Sequence, residues 1–368
     1  MRFYVPTDIY VEKNCVKNHA QNLIAVGSRA LIMTGHSSAA ANGSLIDVTE
    51  VLKAGEVPFQ IFNEVEENPS TDTVGKALQI ARDFNADYIV GIGGGSAIDA
   101  AKATALLLAN PNLAADNLHQ VPAKLLNHAP VVAVPTTCGT GSEATPVAII
   151  TNHKINLKKS IPHRIFPALA LVDGKYLASA KKSLIVNTAV DALAHMVESI
   201  LNVKSNMLNR MCPEYGLKLW SECKDALLSD SDVDESLYEK LMLTSTIAGM
   251  SIAQTSTAVP HGMSYDLTLH AGVPHGPAVG YFLAAYVEIC NKFVPEDIQK
   301  ILSLLQLQNI GEFYEMLRHL IGTCTVTRKM RDNFAAAMKV NRSKLDLVPG
   351  GITPEDIDYI YDKSLVVE

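Results

Sequence analysis

Between Val186 and Asn202 the chain reads VNTAVDALAHMVESILN, an apolar helix-like run into which Asp191 and, four places on, His195 are set. Residues four apart share one face of a helix, so a carboxylate and an imidazole look at the same point. Further on, AVPHGMSYDLTLHAGVPHGPAVG brings three more imidazoles, His261, His270 and His275. One carboxylate with several imidazoles is the donor set of a divalent iron or zinc ion held by nitrogen and oxygen. With no thiolate in the set, a catalytic site with an open position fits better than a closed structural one. The helical pair alone would equally serve as a buried salt bridge, or as a helix-start network with Thr188 three residues ahead. His119, His153 and His163 stand in polar, loop-like stretches and are expected to be solvated surface residues.

Two glycine-rich turns could hold an anion. IVGIGGGSAIDAAK, from Ile89 to Lys102, ends a buried strand, turns on Gly93, Gly94 and Gly95, and opens a helix at Ser96. Adjacent glycines let a ligand approach the backbone, and the N–H groups of a helix start attract a phosphate. The alternative is a tight turn with glycine used for geometry alone, and the run is not the GxGxxG dinucleotide fingerprint. VPTTCGTGSEATP, from Val134 to Pro146, sets Thr136, Thr137, Thr140 and Ser142 beside Gly139 and Gly141 after the next strand. Hydroxyls and glycines there belong at the carboxyl end of a parallel sheet, where α/β folds bind ligands, unless they form a plain polar loop.

The elements that must carry these residues fall into two blocks. ALIMT (30–34), PFQIF (58–62), ADYIVGI (86–92), PVVAVP (130–135) and ALALVD (168–173) are short apolar runs separated by helical patterns. Such alternation implies a parallel sheet covered on both faces. The opening FYVPTDIYVE suggests a small antiparallel hairpin. After about residue 180 the strand-like runs stop, and helical segments follow at 184–202, 207–228, 235–256, 278–294, 296–305, 311–322 and 328–340. The expected architecture is an α/β dinucleotide-binding domain over 1–180 and an all-α metal-binding and substrate domain over 181–368, with ligands in the cleft between them.

Bulk composition narrows the class. The 368 residues are 48% hydrophobic and 19% charged, the balance of a packed globular enzyme. A net charge of −7 leaves no basic excess for nucleic acid. Six cysteines without a CxxC pair fit a reducing cytoplasm, and no signal-peptide-like start is present. Apolar stretches such as ATALLLA near residue 106 fall far short of the about 20 residues a membrane span needs.

Taken together, these stretches resemble the iron-containing, or group III, alcohol dehydrogenases over essentially the whole chain. GGGSAIDAAK, PTTCGTGSE, DALAHMVE and the HG–x12–HG pair starting at His261 and His275 carry the resemblance, in the family's order and spacing. It implies the dehydroquinate-synthase-like fold and a metal held by Asp191, His195, His261 and His275, with iron first and zinc as the alternative. It further implies Gly93, Gly94, Gly95 and Ser96 on the cofactor pyrophosphate, and Thr136, Thr137, Thr140 and Ser142 along the ribose and nicotinamide. Lys159 matches a lysine that reaches the cofactor, and relatives are commonly dimers or larger. One position departs from the family pattern: Tyr265 stands where many members carry a proton-relaying histidine. Tyrosine is a poorer base near neutral pH, which leaves Tyr265, His270, water or the cofactor ribose as routes.

The resemblance implies reversible oxidation of a small primary alcohol to an aldehyde. A glycerol-type or 4-hydroxybutyrate-type substrate is the alternative, the second needing a cation for its carboxylate. A dehydroquinate-synthase-type lyase would need a basic cluster that residues 187–203 and 255–286 scarcely offer. For the cofactor, NAD enzymes place an acidic residue near the second strand's end. Here Gly35, Ser37 and Ser38 follow the strand, with no carboxylate before Asp47, so NADP is favoured over NAD.

Overall fold

The structure, a computed structural model, describes residues 1–120 and 127–368. They form two compact units: Val5–Lys181 with Glu235–Gly249, and Met1–Tyr4 with Lys182–Asp234 and Met250–Glu368.

The first unit is built on a six-stranded sheet. Its strands are β1 (Asp8–Val11), β2 (Ala30–Thr34), β3 (Phe59–Phe62), β4 (Tyr88–Gly93), β5 (Val131–Pro135) and β8 (Leu169–Val172), in the order β1-β8-β5-β4-β2-β3 and all parallel. Between β5 and β8, β6 (Ile149–Asn152) and β7 (Leu157–Ser160) form a separate antiparallel hairpin that turns on Asn156 at φ 49°. The helices are α1 (Cys15–Asn18), α2 (Ala20–Ile24), α3 (Ser38–Ala41), α4 (Ser44–Ala54), α5 (Thr71–Asp83) and α6 (Gly95–Ala109).

Successive strand residues point to opposite faces, and the two cores divide accordingly. Leu31, Met33, Ile89 and Val131 pack on one side with α5 and α6 residues such as Leu78 and Leu106. Ile32, Val90, Val132 and Leu171 pack on the other with Leu23, Val48 and Leu52. Burial on both faces explains why these strands read as continuous apolar runs. The opening segment forms no antiparallel hairpin. Only Asp8–Val11 is a strand, and it completes the sheet edge in parallel against β8; Pro6, which has no N–H for a ladder, lies outside it.

The second unit is helical: α7 (Lys182–Ile200), α8 (Met211–Leu228), α10 (Val259–Ala271), α11 (His275–Cys290), α12 (Pro295–Leu304), α13 (Ile310–Ile321), α14 (Arg328–Lys339), α15 (Arg342–Leu345) and α16 (Pro354–Ser364). Helix α9 (Tyr238–Thr255) supplies its last residues to this unit and its earlier ones to the α/β unit. Two-residue strands β9 (Thr325–Val326) and β10 (Val366–Val367) pair in parallel. The Trp220 indole is fully buried and donates to the Ala189 carbonyl at 2.8 Å, tying α8 to α7. Among the described residues no helix is long and apolar enough to cross a membrane.

His163 is 6% exposed, not a surface residue: Ile161, His163 and Ile165 are buried, while Pro162 and Arg164 between them are exposed. His119 is part-buried, with Nε2 at 3.0 Å from the Ile150 carbonyl and 3.2 Å from that of Lys159. His153 is exposed, as expected.

One buried carboxylate joins three segments of the α/β unit. Asp47 on α4 accepts from Tyr176 Oη at 3.0 Å and lies 2.7 Å from Lys175 Nζ, with the half-exposed Lys17 at 3.3 Å. Burial raises its pKa, but the bonds from Lys175 and Tyr176 outweigh that and hold it below the usual carboxylate range. A depressed carboxylate contributes stability above its unfolded pKa and loses it as pH falls through the folded value. Asp47→Asn is therefore expected to lower unfolding stability by about 1–3 kcal/mol at pH 7. The difference should shrink once pH drops below about 4, as measured by urea unfolding at both pH values. A gap independent of pH would contradict this assignment.

Candidate metal and cofactor site

The helical unit gathers the predicted donors. Helix α7 begins at Lys182, so Asp191 lies in mid-helix, and Thr188 does not cap it but donates to the Leu184 carbonyl at 2.9 Å. His195 follows Asp191 by one turn, with its Nε2 3.7 Å from Asp191 Oδ1. His261 sits in the first turn of α10, where Pro260 fits because an opening turn needs no N–H from it. Its Nε2 is 3.3 Å from the same Asp191 oxygen. His275 opens α11, with Nε2 3.7 Å from Asp191 Oδ1. Gly276 brings α11 onto α7: a Cβ there would lie 1.8 Å from the Asn187 carbonyl oxygen, so any larger residue would push His275 away.

One donor atom each from Asp191, His261 and His275 falls within a 4.8 Å span. The His195 and His261 rings stack at 4.5 Å, and His275 meets His261 edge-on at 5.5 Å. Asp191, His195 and His261 are buried, while His275 is about one-third exposed at its side chain. Asp191 Oδ1 and His261 Nε2 are buried with no hydrogen bond despite facing each other. Buried polar atoms without a partner call for an explanation, such as an ordered water or an ion. The donor set and its orphaned atoms fit a divalent cation.

Glu198, one turn beyond His195, is fully buried. Its Oε1 is 2.6 Å from His261 Nδ1, and its Oε2 accepts the Ala258 N–H. A proton on Nδ1 donated to Glu198 leaves the Nε2 lone pair directed at Asp191. The charge pattern favours positive charge at this point. Burial lowers the pKa of His261, yet Glu198 and Asp191 together raise it to about 9. Burial raises that of Asp191, but the surrounding imidazoles hold it far below the carboxylate range.

Tyr265 shares the α10 face of His261, and its ring lies parallel to that of His275 at 6.4 Å between centroids. His270 stands apart from this cluster, near the end of α10. There it stacks on Phe334 at 5.9 Å and lies 4.0 Å from Asp266.

In the α/β unit, three predicted segments follow the carboxyl ends of the neighbouring strands β2, β4 and β5. Gly35, Ser37 and Ser38 follow β2, and both serines are exposed. Gly94 and Gly95 let the two glycine-rich loops meet: a Cβ on Gly94 would lie 3.1 Å from Thr137 Oγ1, and one on Gly95 would lie 2.8 Å from Thr140 Cγ2. Gly93 takes φ 149°, and Thr136 N–H bonds the Gly93 carbonyl at 3.0 Å. The Ser96 hydroxyl accepts the Asn68 N–H at 3.3 Å. Lys159 is exposed on β7.

Ser142 faces inward. It donates to Asp99 Oδ1 at 2.6 Å, and the fully buried Lys102 donates to its carbonyl at 2.7 Å and its hydroxyl at 2.8 Å. Lys102 reaches the Val147 carbonyl at 2.8 Å as well, so one ammonium clamps the second loop to α6.

The sequence profile described as iron-containing alcohol dehydrogenase matches residues 6–174, and the one described as Fe-containing alcohol dehydrogenase family, C-terminal, matches 185–344. A crystal structure of an iron-containing alcohol dehydrogenase from Thermotoga maritima superposes with a TM-score of 0.91 at 34% identity, covering 99% of each chain. The chain belongs to the iron-containing alcohol dehydrogenase family.

Among curated relatives, the NADPH-dependent butanol dehydrogenase of Clostridium saccharobutylicum is 28% identical over 311 residues, 83% of this chain and 78% of that one. The bifunctional aldehyde-alcohol dehydrogenase AdhE of Escherichia coli is 30% identical over 300 residues, but this chain spans only 33% of its length. Membership makes the chain an oxidoreductase of the alcohol dehydrogenase class with the dehydroquinate-synthase-like fold, and implies a metal ion and a nicotinamide cofactor.

Glu198 and Lys102 lie within the motifs read from sequence, yet neither was singled out. A lone charged residue on a helix has no spacing that marks it as a buried support. Glu198→Gln should keep the fold and weaken ferrous iron binding about 10- to 100-fold, read as retained iron across a chelator series. Equal retention in both proteins would contradict a supporting role for Glu198.

Proposed function

We propose that the protein is a metal-dependent, NAD(P)-linked dehydrogenase interconverting a small primary alcohol and its aldehyde, with NADPH preferred. The observation that carries the reading is the convergence of Asp191, His261 and His275, with His195 adjoining, around buried atoms that lack hydrogen bonds. In this reading the α/β unit binds the dinucleotide and the helical unit binds the metal and substrate. Asp191, His195, His261 and His275 would hold a divalent iron, which when bound would supply a Lewis acid, and a bound nicotinamide would supply or take the hydride.

The remaining work falls to the chain's own groups. Asp191 would offset one positive charge of a bound divalent ion. Glu198 fixes the His261 tautomer and ring orientation. Tyr265 is the hydroxyl assigned to the substrate side, since His270 stacks on Phe334 away from the cluster. Gly93, Gly94, Gly95 and Ser96 are assigned to the pyrophosphate, and Thr136, Thr137 and Thr140 to the ribose and nicotinamide. Ser142 acts from behind, through Asp99 and Lys102. Exposed Lys159 is assigned as a cation for the cofactor.

Two observations support NADPH. Gly35, Ser37 and Ser38 after β2 present no carboxylate to repel a 2′-phosphate. The butanol dehydrogenase cited above is described as NADPH-dependent.

The test is an initial-rate panel of short aldehydes with NADPH and NADH, on protein reconstituted anaerobically with ferrous iron. Turnover is expected with a lower Michaelis constant for NADPH. His261→Ala and His275→Ala should each lose bound iron and about 100-fold or more of turnover. Full turnover in metal-free protein would overturn the metal assignment, and a lower constant for NADH would overturn the cofactor preference.

A further inference from the structure

Lys344, on α15, is a cation in the neighbourhood of the donor cluster for which the reading above has no use. Its stem lies along α10, where a Cβ on Gly262 would meet Lys344 Cγ at 3.0 Å. Its Nζ donates to the Thr257 carbonyl at 2.8 Å and the Thr257 hydroxyl at 2.6 Å, and lies 5.9 Å from the Tyr265 ring centroid. That ring is itself 6.4 Å from His275. Gly262 and Tyr265 follow His261 on α10 by one and four residues, so Lys344 runs beside one donor helix.

Among the described residues, no carboxylate comes within the 4.0 Å of an ion pair with Lys344. The buried Lys102, by contrast, has Asp99 at 3.7 Å. Glu198 contributes negative field, but its two oxygens are taken by His261 and the Ala258 N–H. Lys204 opposes it with positive field. An ammonium has three N–H donors, and the two oxygens of Thr257 engage two of them. A part-buried cation without a counter-ion is costly, and burial accordingly pulls the Lys344 pKa down to about 8.

We propose that Lys344 determines substrate class by binding the anionic end of a short aldehyde, a carboxylate or sulfonate, whose carbonyl is reduced at the Asp191–His275 cluster. The proposal rests on the dehydrogenase reading above. A monoanion matches one lysine, whereas a phosphate dianion would call for several cations or a bidentate arginine. A 4-hydroxybutyrate-type substrate has the required form, and Lys344 is the cation that its carboxylate needs. No step of the hydride transfer changes; Lys344 supplies orientation and binding alone.

The experiment compares 4-oxobutanoate with butanal, which share a carbon count and differ in charge, on iron-loaded wild type, Lys344→Met and Lys344→Arg. Titration calorimetry of 4-hydroxybutyrate into each protein gives a binding readout independent of turnover, and thermal melting confirms that each is folded. Wild type should favour 4-oxobutanoate in kcat/KM. In Lys344→Met that preference should fall about 10- to 100-fold through KM, with a matching rise in the 4-hydroxybutyrate Kd. Lys344→Arg should recover part of both. An unchanged preference in Lys344→Met, or an equal loss toward both aldehydes, would overturn the proposal and leave Lys344 as a brace for Thr257. Wild type that turns over neither aldehyde would overturn the dehydrogenase reading and this proposal with it.

Discussion

Everything in the helical unit turns on the cost of burying negative charge. Asp191 and Glu198 lie two turns apart on α7, both withdrawn from solvent, and an isolated buried carboxylate is too costly to persist. Three imidazoles from three elements approach one Asp191 oxygen, and Glu198 takes the far nitrogen of His261. Positive charge must enter this arrangement as either a proton or a metal ion. Glu198 and Asp191 push the pKa of His261 upward, which favours the first, and the buried atoms without hydrogen bonds beside Asp191 fit the second. Details elsewhere serve that convergence: Pro260 in the opening turn of α10, Gly276 against the α7 backbone, and Trp220 holding α8 to α7.

The α/β unit obeys a different constraint, the close approach of two loops. The glycine-rich turns after β4 and β5 touch through Gly94, Gly95, Thr137 and Thr140, and side chains larger than glycine would separate them. Lys102 ties the second loop to the helix that grows out of the first. Its charge is compensated by Asp99, which also receives Ser142 and the Ile149 N–H. Hydroxyls and backbone N–H groups at adjacent strand ends support the proposed role of these loops in holding a phosphate.

How much of this was legible in the sequence differs from element to element. The strands 30–34, 88–93 and 131–135 were readable because burial on both faces leaves unbroken apolar runs. The donors were readable because an i,i+4 pair and recurring histidines carry their own spacing. Helix α10 escaped the periodicity reading because its opening Val-Pro-His-Gly mixes a helix breaker with polar chemistry and has almost no amphipathic stripe. The edge strand β1 was misread as a hairpin because its partner, β8, lies about 160 residues away and leaves no local signal. Supports such as Glu198, Lys102 and Lys344 look like ordinary helix-surface charges until tertiary packing buries them.

The most direct test of the central claim is anomalous diffraction at the iron edge from crystals of anaerobically loaded protein. One strong peak is expected, bounded by Asp191 Oδ1 and the Nε2 atoms of His195, His261 and His275. A peak elsewhere, or iron-loaded crystals without density among those four side chains, would contradict it.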